Sequence, residues 1–388
     1  MDPGSDRNAS SDPDTYPAIA NSKFQLLAAG LNAHGQISAA WRGHDIPSLL
    51  ALTAPSDASS VQLLHASWSS TTLRVASQVI ELGGQDPGPR ALAPGIGEPF
   101  DAFGHHDGML GFLDAEGRLW LCVAGRLECQ ADPDGSPLIG HIAHAGNGQV
   151  AITFKQAPNG RLCHILCFED MDQLLAWYEN PAEVSYDAEK QHFMMQGQPR
   201  QLLAGTGTFL LRMESGEVYS WGDPRYSSLG RSINDVPAER PGPVEALGGL
   251  KITKIACGGW LSAALSEGGA CYLWGSQMPG TEEKMQLLTD LQQGGVALVE
   301  LPAQGGGEPS DILDVAVGDN HVVLLAEGNR CFSAGGNSNG QLCLQHFEPF
   351  IPEFTQVPIE DHVIRSIYCG PKSTYAFAST LDKPPTSA

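Results

Sequence analysis

The feature of this sequence that most restricts its fold is a unit that recurs three times between residues 200 and 344. Each copy is an apolar run ending near glycine, a second apolar run, an acidic turn with glycine, and a third run. The copies are Gln201–Gly222, Thr253–Gly275 and Leu313–Gly335. Short apolar runs joined by glycine turns are typical of antiparallel strands. One such unit cannot bury its apolar faces alone, so we expect the copies to stack against each other.

Weaker copies of the unit begin near Leu63, Phe100 and Ile139, and a last copy at 364–378 stops after two strands. The missing third strand lies at the other end of the chain, in the run 24–30. Six whole units and one split unit make seven, at roughly 55 residues each. The sequence therefore predicts an all-β fold: a seven-bladed β-propeller closed by pairing of the N-terminal and C-terminal strands, with short helical insertions.

Composition agrees with such a fold and restricts the partners. The 388 residues include 45 Gly and 27 Pro, and 42% are hydrophobic, which supplies both turns and a core. Lys and Arg number 22 against 44 Asp and Glu, for a net charge of −22. An acidic surface repels phosphate backbones and favours a basic protein surface, so we expect no direct nucleic-acid binding. No run approaches the roughly 18 apolar residues of a membrane span, so we expect no membrane association.

Nine cysteines are scattered singly through the apolar runs. Because their number is odd and their spacing shows no pairs, we expect buried free thiols in a reducing compartment. The predicted location is cytoplasmic, nuclear or both.

The order of motifs within each unit resembles the regulator of chromosome condensation repeat. In that repeat, Gly-x-x-His or Ser precedes an apolar run, an acidic-Gly turn and Trp-Gly. The loop Asn-x-x-Gly-Gln-Leu occurs as Asn337–Leu342 and, weakened, as Asn32–Ile37. The resemblance covers about residues 24–379 and is strong over 200–344 and 363–379. It implies a propeller whose loops bind other proteins.

Two kinds of function follow from the resemblance. The layout is similar to that of small family members whose N-terminal repeats are also eroded. This similarity implies a non-enzymatic adaptor that associates with a JmjC-type oxygenase. The founding member is an exchange factor for the small GTPase Ran, with a basic tail and a wedge hairpin. Here residues 2–14 contain Arg7 as their only cation, and no match to the wedge is found. We therefore expect a scaffold without catalytic residues, cofactor or metal, and keep exchange on a Ran-like GTPase as the alternative. A partner in translation or tRNA modification, as in some fungal members, is a further alternative.

Five residues are candidates for contact with a partner. Trp68 and Trp260 stand in loops that start a second strand, where they either pack between blades or anchor a partner. His321 occupies the His position of the repeat, for which hydrogen bonding between blades is the structural interpretation. Asn337 and Asn339 belong to the Asn-x-x-Gly-Gln-Leu loop. Trp221 and Trp274 end strands before glycine, and we expect them to wedge between blades.

Metal and nucleophilic sites are disfavoured by the sequence. His105-His106-Asp107 and His141-x-x-His144 lack the closely spaced Cys pairs of structural zinc sites. No Gly-x-Ser-x-Gly elbow or glycine-rich phosphate loop occurs. An enzymatic site would have to be assembled across blades.

Two long insertions interrupt the repeats. Residues 169–199 begin with apolar side chains at helical spacing from Met171, and form either a rim helix or a partner-docking arm. Residues 276–309 include a candidate helix at 281–288, capped by Thr281. The predicted organisation is a disordered acidic tail at 1–22, a monomeric propeller at 23–380 and a short disordered tail at 381–388.

Overall fold

A computed structural model of the chain is a ring of seven antiparallel four-stranded sheets, which confirms the predicted seven-bladed propeller. The structure describes residues 24–52, 61–84, 90–94, 99–130, 138–155, 162–180, 191–276, 283–289, 291–292, 294–302 and 310–380. Both predicted terminal tails lie outside these residues. Within them, no helix has the length and apolar character needed to cross a membrane.

The strands follow one another in chain order as regular meanders. They are β1 (Phe24–Gly30), β2 (Ile46–Ala51), β3 (Val61–Ala66), β4 (Ser70–Val75), β5 (Gln78–Gly83), β6 (Arg90–Pro94), β7 (Pro99–His105), β8 (Gly108–Asp114), β9 (Leu119–Val123), β10 (Arg126–Cys129), β11 (Ile139–His144), β12 (Val150–Phe154), β13 (Leu162–Phe168), β14 (His192–Gln196), β15 (Pro199–Ala204), β16 (Thr208–Met213), β17 (Val218–Gly222), β18 (Gly242–Pro243), β19 (Ile252–Gly258), β20 (Leu261–Ser266), β21 (Cys271–Gly275), β22 (Ala297–Leu298), β23 (Ile312–Val317), β24 (His321–Ala326), β25 (Arg330–Gly336), β26 (Phe350–Val357), β27 (His362–Gly370) and β28 (Ser373–Thr380).

Blades 1 to 6 are the successive groups of four strands from β3 to β26, and blade 7 is β27-β28-β1-β2. In blade 7, β1 pairs antiparallel with β28 from Phe24↔Ser379 to Gly30↔Ser373. The innermost strands contact each other in sequence, and β27 contacts β3. The chain ends therefore close the ring, as predicted. Across this junction the buried hydroxyls of Thr71 and Tyr375 lie 2.7 Å apart.

The apolar interior is divided into seven clusters, and each lies between two neighbouring blades. Trp274 of blade 5 is fully buried in the cluster shared with blade 4, where its indole N–H donates to the Ser228 carbonyl at 3.1 Å. Trp221 stacks on Phe209 between blades 3 and 4. Both tryptophans thus wedge between blades, as their sequence positions predict. Each blade is stabilised mainly by its neighbours, because burial of apolar surface between blades is the dominant favourable contribution.

The first insertion contains one α-helix, α1 (Met171–Glu179), whose N-cap Asp170 accepts from Gln173 N–H. Leu174, Trp177 and Tyr178 of α1 are buried in the cluster between blades 2 and 3, so the helix packs on the propeller. The Met-rich stretch after it is β14, the outer strand of blade 3. The sequence interpretation ran the insertion to residue 199, whereas residues 192–196 pair with β13 as a strand of the blade.

The second insertion does not form the predicted α-helix in its described part. A 3-10 turn covers Gln286–Leu288, and Met285 and Leu288 are buried between blades 5 and 6. The expected cap Thr281 lies outside the described residues. Three further 3-10 turns cover Ala39–Trp41, Arg225–Ser227 and Glu245–Leu247.

The two faces of the ring carry different connections. On one face lie the loops from the first to the second and from the third to the fourth strand of each blade; we call it the long-loop face. Its third-to-fourth connections include one of 15 residues in blade 7 (31–45) and one of 19 in blade 4 (223–241). The opposite face carries the short acidic-Gly turns and the links between blades. Long face loops are the elements that propellers offer to ligands.

Glycines at the ends of the innermost strands allow these blades to approach each other. A Cβ on Gly205 would lie 2.7 Å from the Gly259 carbonyl oxygen, and one on Gly258 would lie 2.6 Å from the Gly318 carbonyl. A Cβ on Gly318 would in turn lie 2.7 Å from the Gly370 carbonyl oxygen. The glycines of successive units are therefore required by contact with the next blade.

We expect Gly258→Ala to lower the free energy of unfolding by about 2 kcal/mol, because the added methyl group collides with backbone that cannot rotate away. Gly268→Ala is the matched control, since its Cβ would meet nothing within 4 Å. Urea unfolding followed by tryptophan fluorescence measures both. Equal stability of the two variants would contradict the steric role of Gly258.

A polar residue follows a register shift in every innermost strand, which we call the polar belt. Its members are His65, Asp101, His141, Gln201, Lys254, Asp314 and Ser366. Three of them bond the backbone of the next blade: Asp101 accepts from Ile142 N–H at 3.2 Å, Gln201 from Ile255 at 3.0 Å, and Asp314 from Ile367 at 2.9 Å. Lys254 and Asp314 also form a largely buried ion pair at 2.5 Å. The belt joins blades through hydrogen bonds that the register shifts make available.

Removing one carboxylate from the belt is expected to be costly. Asp314→Ala leaves the Lys254 ammonium and the Ile367 N–H buried without their acceptor, so we expect a loss of about 3 kcal/mol in unfolding free energy. The control is Glu267→Ala, which breaks the exposed Lys251–Glu267 pair of the same 2.5 Å separation. That loss should stay below about 1 kcal/mol. Chemical denaturation of both variants decides the point, and similar losses would refute the belt's structural role.

Candidate interaction face

The innermost strands of all seven blades enclose a central cavity of about 520 Å³. It is lined partly by imidazoles: His65 Nε2 lies 3.0 Å from the His105 carbonyl oxygen, and the rings of His105 and His144 are 5.8 Å apart. Burial lowers the pKa of both His65 and His144 to about 4, which keeps them neutral near pH 7. Two histidine clusters that are separate in sequence therefore meet in the central cavity.

These histidines do not make a metal centre in the part of the chain that the structure describes, where no three His, Cys, Asp or Glu side chains are arranged to hold an ion. His141 instead faces the belt residue Asp101, with Nδ1 3.6 Å from the carboxylate. His164 lies beside His192, with ring nitrogens 3.1 Å apart. None of the nine cysteines, all of which lie in the described part of the chain, forms a disulfide, and Cys129 is exposed where the sequence predicts a buried thiol.

The loops between the first and second strands of the blades form the mouth of the central cavity on the long-loop face. Neighbouring loops are joined by backbone hydrogen bonds. The backbone N–H of Trp68 donates to the His106 carbonyl at 2.8 Å, that of Thr206 to the Gly259 carbonyl at 2.7 Å, and that of Asp319 to the Pro371 carbonyl at 3.2 Å. These contacts fix the two candidate tryptophans on the same rim, in blades 1 and 5.

Trp68 is half-buried between the imidazole of His106 and the ammonium group of Lys372. Its ring centre lies 4.6 Å from that of His106, and the Lys372 ammonium lies 5.0 Å from the indole centre. Asp319 lies on the same rim, and burial raises the pKa of its carboxyl. Gln36 of the blade 7 loop donates to the Trp68 carbonyl at 2.7 Å. Trp68 is therefore positioned by residues of blades 2 and 7 and retains an accessible surface.

Trp260 is covered to a greater extent, with 9% of its surface exposed. Tyr226 packs edge-on against it at 4.9 Å, and the Arg225 guanidinium lies 5.3 Å from its ring centre. Hydrogen bonds from Arg225 lower the pKa of Asp223 and hold the turn. Tyr226 and the next residue, Ser227, have φ of 60° and 55°, a left-handed backbone that is costly for side chains with a Cβ. The strained turn places a 40% exposed tyrosine beside the mouth.

The other three candidates serve the loops themselves. His321 is fully buried and its Nε2 lies 3.1 Å from Thr374 Oγ1. Asn337 is also fully buried; it accepts from Leu342 N–H and donates to the His346 carbonyl. Asn339 is half-buried and donates to Asp45 of the neighbouring loop at 2.8 Å. Because burial removes His321 and Asn337 from solvent, their assignment to a partner-binding surface is corrected: both hold blade and loop structure.

The sequence motifs alone do not identify several residues of this face, but a nine-residue spacing from Ser to Leu identifies some of them. Ser333 Oγ donates to the carbonyl of Leu342, nine residues on, and Ser220 Oγ does the same to Leu229. The Ser-to-Leu spacing thus identifies 220–229 as a third copy of the loop motif, and with it Arg225 and Tyr226. In the same way, Asn32 and Asn337 each donate to the carbonyl nine residues on, at Trp41 and His346.

Comparison with known proteins agrees with this architecture. Two segments, residues 215–265 and 312–341, match models described as the regulator of chromosome condensation (RCC1) repeat. The RCC1 domain-containing protein 1 of Mus musculus is 29% identical over 218 residues, which cover 47% of this chain and 56% of the relative. The E3 ubiquitin-protein ligase HERC2 of Homo sapiens is 31% identical over 140 residues, but those cover 3% of its length. The structure of Prp20p from Saccharomyces cerevisiae superposes with a TM-score of 0.69 at 15% identity, covering 97% of this chain and 96% of that one.

The chain is accordingly a seven-bladed propeller, two segments of which match the RCC1 repeat. Its sequence is similar to that of RCC1 domain-containing protein 1, and the alignment spans about half the length of that relative.

The buried His321 gives the fold a pH dependence that can be measured. Thr374 Oγ1 donates to the Gln341 carbonyl at 2.6 Å, so the neutral imidazole donates from Nε2 to the Thr374 oxygen. Burial lowers the pKa of His321 to about 4, below the usual value of 6.5. The stability from this group is complete above pH 6.5 and is lost as the pH falls toward 4, because the unfolded chain takes up the proton first.

Because of His321, we expect the free energy of unfolding to fall by about 2 kcal/mol when the pH is lowered from 7 to 5. His321→Gln, which keeps an N–H donor but does not titrate, should be less stable at pH 7 and show a correspondingly flatter decline. Thr374→Ser retains the acceptor hydroxyl and should keep the wild-type slope. Urea unfolding at a series of pH values tests this; parallel profiles for wild type and His321→Gln would exclude it.

Proposed function

We propose that this chain is a protein-interaction scaffold that binds its partner through the long-loop face, with no chemistry of its own. The observation that carries the proposal is an arc of eight exposed carboxylates on the loops of blades 3 to 6, which we call the acidic arc. Its members are Glu169, Asp170, Asp172, Glu179, Asp235, Glu239, Glu283 and Glu348. They lie on the same face as the aromatic mouth, so charge and an apolar anchor occur together.

A basic protein surface is the partner that this arc favours. Complementary charge accelerates encounter and fixes orientation, while buried aromatic contacts supply most of the affinity. The resemblance to RCC1-type adaptors supports a JmjC-type oxygenase or a small GTPase as the partner, and the acidic arc disfavours direct binding to nucleic acid. We propose that the ring itself is monomeric and works in the cytoplasm, the nucleus or both.

Nucleotide exchange on a Ran-like GTPase is the second candidate. It is supported by the likeness of fold to Prp20p, whose solved structure is described together with its binding to Gsp1p and histones. That likeness concerns the fold, since the sequence identity is 15%. A scaffold and an exchange factor differ in one measurable respect, which is the rate at which a labelled guanine nucleotide leaves the GTPase.

The test uses charge reversal on one face with the other face as control. The arc variant Asp235→Lys/Glu239→Lys/Glu348→Lys should lose the protein that co-purifies stoichiometrically with wild type, and weaken the reconstituted complex at least about tenfold. The control Glu214→Lys/Glu217→Lys/Glu267→Lys reverses three exposed carboxylates of the opposite face, and should retain the partner.

Each other outcome has a defined meaning. Loss of the partner in the control variant alone would place binding on the opposite face and refute the proposal. A chain that remains without any partner would refute the scaffold. Accelerated nucleotide release from Ran at micromolar protein would favour the exchange factor instead.

A further inference from the structure

One sector of the long-loop face differs from the acidic arc in both charge and composition. It lies over blades 7, 1 and 2, and we call it the aromatic sector, defined by Trp41, Arg42, Trp68, His106 and Lys372. Hydrogen bonds make it continuous: Gln36 donates to the Trp68 carbonyl, and Ser69 Oγ donates to the Asp107 carbonyl at 3.1 Å. The sector thus extends from the blade 7 loop to the mouth and on to blade 2.

The loops beside Trp68 are the shortest on this face. The third-to-fourth-strand connection is six residues in blade 1 and two in blade 2, whereas every other blade uses at least 13. The blade 2 connection is a tight turn in which Ala124 and Gly125 both have positive φ. Trp260, beside a 19-residue loop, is 9% exposed, whereas Trp68 is half-buried. The short connections therefore leave this part of the mouth accessible.

Trp41 is the aromatic anchor of the sector. Its side chain is 58% exposed, an unusual degree for an indole. Its backbone is fixed, because Asn32 Nδ2 donates to the Trp41 carbonyl at 2.9 Å and Arg42 donates to the Gly84 carbonyl at 3.2 Å. An exposed aromatic ring on a fixed backbone loses little conformational entropy when it binds. This is the property expected of a binding anchor.

The sector differs from the arc because cations stand beside its tryptophans. Arg42 and Lys372 stand beside the two tryptophans, and Arg90 and Arg126 begin the outer strands of blades 1 and 2 on the same side. Carboxylates also lie among these cations. Asp107 is exposed 3.4 Å from His106, Glu128 is exposed two residues after Arg126, and the half-buried Asp319 interacts electrostatically with Lys372. Asp45 is bonded to Asn32 N–H and to Asn339. In a chain of net charge −22, cations beside the exposed Trp41 and the half-buried Trp68 nevertheless set this sector apart from the acidic arc.

We propose that the aromatic sector binds an acidic peptide segment of a protein partner. An apolar side chain of the peptide rests on Trp41, and its carboxylates pair with Arg42 and Lys372. Guanidinium and ammonium groups beside aromatic rings give charge-assisted hydrogen bonds to carboxylates in partly desolvated surroundings. This site is separate from the acidic arc and would function whether or not the arc binds a basic protein.

The probe is a fluorescein-labelled peptide of repeated Glu-Glu-Leu-Phe units, titrated against the full chain and followed by anisotropy. We expect saturable binding that weakens as salt is added, because the cations are near the surface. Trp41→Ala and Lys372→Glu should each weaken it about tenfold. Asp107→Asn removes the competing carboxylate and should strengthen it two- to threefold, a gain that a merely structural role would not produce.

Three controls make the result decisive. Phe347→Ala removes another exposed aromatic side chain of the long-loop face, 48% exposed in blade 6, and should leave affinity unchanged. The arc variant should also bind the acidic probe as wild type does, which separates this site from the proposed function. A peptide with Lys in place of each Glu should bind without sensitivity to Trp41→Ala or Lys372→Glu. The proposal is overturned if the acidic probe does not bind saturably, if its binding ignores Trp41 and Lys372, or if the lysine peptide depends on them instead.

Discussion

Seven innermost strands must approach one axis closely enough to bond to each other, and the rest of the structure depends on that constraint. Two devices satisfy it. Glycines such as Gly205, Gly258 and Gly318 remove the Cβ that would strike the next blade. The polar belt then supplies bonds across the remaining gap, as when Asp314 joins Lys254 of blade 5 to the backbone of blade 7. Close approach of backbone selects glycine, and a displaced strand register needs a polar side chain to satisfy the freed N–H groups.

The apolar core follows from the same geometry. Because each of the seven clusters lies between two blades, removal of one blade would expose two clusters at once. Pairing of β1 with β28 therefore matters beyond its own hydrogen bonds, since it completes the cluster that contains Tyr375 and the one that contains Ala376. A closed ring has no terminal blade that needs a separate polar cap, unlike an open repeat array.

The blades and their closure can be predicted from the sequence, whereas the contacts of the long-loop face cannot, because they join residues far apart in the chain. Strand and turn signals are local, so Trp274 before glycine and the split unit at 24–30 identify the blades and their closure. Contacts at the mouth join residues far apart in the chain, and the partners of Trp68 described above come from blades 2 and 7. His321 and Asn337 were visible as motif residues, but their burial depends on Thr374 and on a folded loop. The candidate helix at 281–288 failed in its described part because burial of Met285 and Leu288 favours a short turn over an amphipathic helix.

A loop face of two signs is the consequence that bears most directly on function. The acidic loops of blades 3 to 6 and the tryptophans with neighbouring cations on blades 7, 1 and 2 lie on the same face, and backbone hydrogen bonds between the first-to-second-strand loops fix the mouth between them. For the partner proposed above, fixed cationic and acidic sectors would orient binding by attraction at one sector and repulsion at the other, which a uniformly acidic surface would not do. The strained turn at Tyr226 and the buried Asn32 each hold an exposed aromatic ring in place, one at a cost in backbone strain and the other by burying a polar side chain.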